Sequence, residues 1–236
     1  MNFLKFFLSL FILIVPFIIG CTNNINSNYD AYFISPNERV TLEQEVKKGD
    51  TKAAEKLAYH YLYAEHDNEK AIEYMRILAI SGNARMQHNM AAALINSQDL
   101  KCRQEGVDWY KLSAKAGIKN SQYDLARLYE EGKIITKNYC EAMFWYEKTA
   151  LSDDVYSMVK MAEFYKEGKC EEKDLIQSYS WLRLAELNTS NKSSLGKSIR
   201  NKEKRLINQL SEKEIELGIL KFEKLKTLLD KNIQLN

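Results

Sequence analysis

Proline is nearly missing from this chain: of 236 residues only Pro16 and Pro36 are proline, and none follows Pro36. A body that runs so far without the strongest helix breaker is not one of many proline-set loops, and it admits long helical runs. Histidine is scarce as well. His60, His66 and His88 lack the paired spacing of a metal site and read as core or surface side chains, so no metal and no cofactor is expected. An excess of one charge is absent too: 34 Lys and Arg oppose 32 Asp and Glu for a formal net charge of +2, which gives no electrostatic reason to expect nucleic acid. With 45% hydrophobic and 28% charged residues, the composition is that of an ordinary folded body.

What is present is repetition. The stretch from Asn120 to Leu151 holds two helical patterns, YDLARLYEEG and EAMFWYEKTA, joined by a short turn. Thirty-six residues on, Leu125, Ala126, Tyr129, Gly132 and Trp145 are answered by Met161, Ala162, Tyr165, Gly168 and Trp181. Going back, Met90, Ala91 and Trp109 answer, then Leu57, Ala58, Tyr61 and Tyr74. A period in the mid-thirties with two helices per unit is the signature of an all-α solenoid. Small residues beside large ones, as in Leu57-Ala58 and Met90-Ala91, let helix backbones approach while the large side chains fill the space between repeats. The ladder of Tyr74, Trp109, Trp145 and Trp181 is accordingly read as packing.

The first twenty residues differ in kind. Lys5 precedes an unbroken apolar run, and Ile18-Ile19-Gly20-Cys21 resembles a lipobox, the processing site of bacterial lipoproteins. Residues 1–20 are therefore expected to be a signal peptide, with Cys21 as the lipidated residue. By the same resemblance, Thr22 favours the outer membrane, with the body facing the periplasm. Residues 21–40 are rich in Asn and Ser and read as a tether, reaching roughly 25 Å as a flexible coil. A short helix from about Thr41 to Lys48 then opens the body, as the N-terminal cap.

The recurring A-x-x-x-L-A-x-x-Y-x-x-G and A-x-x-W-Y-x-x-x-A resemble the Sel1-like repeat, a relative of the tetratricopeptide repeat. The resemblance covers residues 41–188, and it implies a right-handed α-solenoid of about four helix-turn-helix repeats. The first repeat departs by a shortened loop around Glu65 to Asn68. The second departs by Leu94 in place of the tyrosine. Residues 189–236 are expected to cap the array with two helices. The second of these begins at the capping box Ser211-x-x-Glu214 and carries Ile215, Ile219, Phe222, Leu225 and Leu229 at helical spacing.

Chemistry is hard to find. Ser157-x-x-Lys160 and Ser194-x-x-Lys197 match one motif of penicillin-recognising enzymes, but Ser-Asp-Asn and Lys-Thr-Gly are both missing, so no catalysis is expected. With Cys21 given to lipid, Cys102, Cys140 and Cys170 remain. Equivalent positions of stacked repeats lie about 10 Å apart, beyond the reach of a disulfide, and none is expected.

In solenoids of the resembled family the first helix of each repeat lines a concave wall. The positions flanking the packed pair are Glu55 and Tyr59, His88 and Ala92, Tyr123 and Arg127, and Val159 and Glu163, with Leu62 and Ile95 expected to add apolar surface. Aromatic surface on such a wall suits a protein partner. The resemblance implies a non-catalytic, lipid-anchored interaction module, either a scaffold for an envelope complex or an immunity protein that neutralises a toxin such as a secreted lipase. A β-lactam-binding enzyme is the third and most distant reading.

Overall fold

The computed structural model describes residues 32–190 and 192–234, so the apolar leader, Cys21 and residues 22–31 lie outside the described residues. Among the described residues every regular element is helical, as the period requires. The described residues fall into two compact units, divided between Ile118 and Lys119.

In the first unit, α1 spans Pro36–Lys47. It begins earlier than the Asn- and Ser-rich composition suggests, because Ser35-Pro36-x-Glu38 is itself a start signal. The Ser35 hydroxyl accepts the Glu38 N–H at 3.3 Å, and Pro36 occupies the first helical position, where its missing N–H costs nothing. The first repeat comes next as α2 (Thr51–Tyr59) and α3 (Asn68–Ile80), and the second as α4 (Ala84–Ile95) and α5 (Leu100–Lys115). Acidic or amide side chains cap each start: Asp50, Asp67, Asn83 and Asp99 accept N–H groups of the first turn. Leu42, Leu57, Ala58, Ala71, Met75, Leu78, Met86, Met90 and Leu94 form one buried cluster, with Leu42 bringing α1 onto the first repeat. Gly106 shows how tightly α4 and α5 pack. A Cβ there would lie 3.1 Å from the Ala91 carbonyl oxygen and from the Ile95 nitrogen.

The shortened loop of the first repeat has a local cause. α2 runs directly into a π-helical turn, His60–Ala64, closed by the Glu65 N–H donating to the His60 carbonyl at 3.1 Å. The π-helical turn stands where the later repeats end their first helix in α-helical form, at residues 128–131 and 164–167, and only residues 65–67 remain before α3.

In the second unit, α6 (Lys119–Glu131) and α7 (Tyr139–Ala150) form the third repeat, and α8 (Val155–Glu167) and α9 (Leu175–Leu187) the fourth. The capping pair is α10 (Ser194–Ile207) and α11 (Glu212–Gln234). Trp145 and Trp181 are buried, and Trp181 is among the largest fully buried side chains. The capping box at Ser211 forms in full: the Ser211 N–H donates to Glu214 Oε2 at 2.8 Å and the Glu214 N–H donates back at 3.4 Å. The Ser211 N–H and the Ser211 hydroxyl, both donating to its carboxylate, hold Glu214 below its usual range.

Two expectations are corrected here. Helical spacing places Ile219 inward with Phe222, Leu225 and Leu229, yet it is exposed. Its neighbour Gly218 takes the contact, because only a residue without a Cβ fits there. An added Cβ would stand 2.5 Å from Tyr179 Cδ1. The second correction is covalent. Cys140 and Cys170 are joined by a disulfide, with Cα atoms 4.8 Å apart. The expectation of none compares equivalent positions of stacked repeats, but Cys170 is not at one. It lies in the loop after α8, where its φ of 70° bends the chain back toward the start of α7. Lys169 fastens the same loop, with Nζ 5.1 Å from the Tyr139 ring centre and 5.2 Å from that of Phe164. Cys102 is buried in the core of the first unit.

Candidate functional site

In the first unit, α2 presents Glu55 and Tyr59 one helical turn apart, both half-buried. They line a pocket of about 300 Å³ together with Lys56 of the same helix, Glu38 of α1, and Tyr32, Phe33 and Ile34. The last three stand in the stretch read as tether. They are held to the repeat by His60, which is fully buried at the π-helical turn. His60 Nδ1 accepts the Ile34 N–H at 3.3 Å, while Nε2 donates to Glu65 Oε1 at 3.1 Å. Arg39 Nη1 donates to the same Glu65 oxygen at 3.1 Å, so α1, residue 34 and the π-helical turn share one polar network.

Tyr32, Tyr59 and Tyr63 pack as a trio, with ring centres 5.1 to 5.9 Å apart. Burial raises the Tyr59 hydroxyl pKa, and the nearby Glu55 carboxylate raises it further. The result is an aromatic wall with two carboxylates, Glu38 and Glu55, and one ammonium, Lys56. It can receive a side chain of a partner.

His88 and Ala92, on α4, are half-buried, with the His88 ring 5.6 Å from that of Tyr110. Leu62 and Ile95 do not add the expected apolar surface. They are only 6% and 8% exposed, because each stands one helical turn past the small member of the packed pair, Ala58 or Ala91, and shares its buried face.

In the second unit Tyr123 and Val159 are half-buried and Arg127 is exposed. The Tyr123 ring sits edge-on to Tyr146 at 5.7 Å, and burial, followed by the Asp154 charge, raises its hydroxyl pKa. The charged positions are already engaged. Arg127 pairs with Glu131 at 3.1 Å and with Asp124 at 3.6 Å. Glu163 pairs with Lys202 of α10 and, at 3.8 Å, with Lys160. Lys160 also reaches Glu130 at 3.1 Å, and the Tyr146 hydroxyl donates to that carboxylate at 2.8 Å. Burial, reinforced by the Glu130 charge, drives the Tyr146 pKa strongly upward.

The structure thus joins Glu55 and Tyr59 into a pocket and engages Arg127 and Glu163 in internal pairs. The missed members are Tyr32, Phe33, Ile34, Glu38 and Lys56. The adjacent aromatics Tyr32-Phe33, just ahead of a helix start, were the available signal. The Ser157-x-x-Lys160 match is consumed by packing: the buried Ser157 hydroxyl accepts from Thr149 at 2.6 Å, and Lys160 serves Glu130. Among the described residues no cluster of His, Cys, Asp or Glu could hold a metal ion, and no helix is long and apolar enough to cross a membrane.

Paired helices of one repeating pattern define a helical-repeat protein. The Sel1 repeat model matches residues 51–83, 86–118, 119–154 and 155–188, more than half the chain, so this protein belongs to the Sel1 repeat family. The Sel1 repeat is a protein-interaction module. A comparison with curated proteins finds no match. Among solved structures, one similar chain is a protective antigen of uropathogenic Escherichia coli strains displaying an SLR fold, at 18% identity and a TM-score of 0.48. The match covers 84% of this chain and 51% of that one, so the protein spans about half the length of the antigen. Another is a Sel1 repeat protein from Oxalobacter formigenes, at 20% identity and a TM-score of 0.47, covering 55% of this chain and 97% of that one.

Proposed function

We propose that this protein is a lipid-anchored interaction module of the bacterial envelope that grips a protein partner at the Tyr59 pocket of its first repeat. The observation that carries the reading is the pocket itself: aromatic rings and carboxylates left half-open, and a buried histidine holding residues 32–34 in place to complete it. Fixed aromatic surface beside charge is what interaction hot spots are made of. The anchor is supported by the apolar leader and by Cys21 in its lipobox-like setting. Tethering at a membrane raises the local concentration of the pocket toward partners at that surface.

A photo-crosslinking residue at Lys56, which is exposed, tests the pocket in the native envelope, with the same residue at Lys166 as control. One discrete partner crosslinked from position 56 and lost on Tyr59→Ala is the expected result. The same products from both positions would refute it. A secreted toxin as that partner would give the immunity role, and a resident envelope protein the scaffold role. Radiolabelled palmitate incorporated by the parent chain and not by Cys21→Ala checks the anchor separately.

A further inference from the structure

The last helix uses only part of its circumference for packing. α11 turns Gly218, Phe222, Leu225 and Leu229 into the second unit. At 100° per residue, Lys213, Leu217, Leu220, Lys224, Leu228 and Lys231 gather on another stripe spanning about 80° of arc. Leu217 is 45% exposed, Leu220 62% and Leu228 47%. All three lysines are exposed, and among the described residues none of them is in an ion pair. Lys221, at the edge of the stripe, is instead tied to Asp174 at 2.9 Å. The acids Glu212, Glu216, Glu223 and Asp230 collect on a separate stripe about 100° away, and Glu214, on the opposite flank, is taken up by the Ser211 cap, so the Lys-Leu stripe stays positive. Ile219 and Ile233 are exposed on the far flank and belong to neither stripe.

Such alternation is poor for a helix partner. Lys224 and Lys231 fall in heptad register with Leu217, so a second copy laid along the stripe would bury like charges against each other. It suits a surface that takes leucine below and ammonium above. We infer that this stripe of α11 lies on an anionic bilayer surface, with Leu217, Leu220 and Leu228 at the acyl boundary and Lys213, Lys224 and Lys231 among acidic headgroups. The helix from Lys213 to Lys231 extends roughly 27 Å, long enough to lie along several headgroups. The stripe belongs to the second unit and is independent of the pocket in the first.

The test measures lysine acetylation rates by mass spectrometry on the full chain, with neutral phosphatidylcholine vesicles and with vesicles carrying phosphatidylglycerol. Lys166, exposed on another helix, is the internal reference. Lys213, Lys224 and Lys231 are expected to slow about threefold or more on the anionic vesicles alone, and to recover when salt screens the surface. The Leu217→Ser, Leu220→Ser, Leu228→Ser variant is expected to lose that slowing while its Tm is unchanged, since these side chains are outside the core. Equal rates on the two vesicle types would overturn the proposal. So would slowing at all lysines including Lys166, or slowing without vesicles that grows with protein concentration, which would make the stripe an interface between copies.

Discussion

The two units are built from the same repeat and held together differently. The second keeps the family pattern closely and is braced by long-range ties: the Cys140–Cys170 disulfide, the Tyr146-Glu130-Lys160-Glu163-Lys202 chain, and a glycine contact that seats α11 on α9. The first departs from the pattern, and its departures make the pocket. A π-helical turn ends its first helix and a shorter loop follows, and the histidine inside that turn binds residue 34. Regular repeats satisfy one another's surfaces, whereas a repeat that breaks register leaves groups free to hold something else.

Substitutions can break this comparison. The largest difference is expected at the ladder: Trp181→Ala empties a fully buried site and should cost about 3–5 kcal/mol in denaturant unfolding. Trp109→Ala removes a half-buried ring and one bond to Glu105, and should cost about 1–2 kcal/mol. Equal losses would mean that the two units pack alike. Next is the disulfide. Replacing Cys140 and Cys170 by Ser releases a 30-residue separation and should destabilise the second unit by about 3–4 kcal/mol. Amide exchange should accelerate in α7 and α8 and stay unchanged in α2 and α3.

The pocket's support comes third. His60→Phe leaves the Ile34 N–H without its acceptor and the Glu65 carboxylate with Arg39 alone, at about 1–3 kcal/mol. Faster exchange at the Ile34 amide, with the second unit unaffected, is the diagnostic. The smallest effect concerns pH. Asp174 caps α9; burial pushes its carboxyl upward, but the Gln177 N–H and Lys221 more than offset this, so its folded pKa is depressed. A depressed carboxylate contributes stability above its unfolded value, near about 3.9, and loses it as pH falls through the folded value. Asp174→Asn should keep the cap yet flatten the acid side of the stability profile by about 0.5 kcal/mol, because the Lys221 pair is partly exposed.

Much of the architecture was legible in the residues. Leu57-Ala58, Leu125-Ala126 and Met161-Ala162 name their own core positions, since a helix puts every third and fourth residue on one face whatever the rest of the chain does. Ser211 and Glu214 announce a helix start three residues apart. The candidate surface was half legible: Glu55 and Tyr59 were placed by their offset from that pair, while Tyr32 and Phe33 were hidden in a stretch whose composition suggested a tether.

The sequence by itself determined the repeat, the helical class and the caps, because each depends on neighbours within about four residues along one helix. Tertiary structure alone decided that Cys170 meets Cys140, that Gly218 and not Ile219 touches Tyr179, and that residues 32–34 fold back onto His60. Each of these contacts joins residues some 26 to 40 positions apart, and whether they meet depends on how far a loop leans or a helix rolls. Local periodicity carries no information about such small displacements.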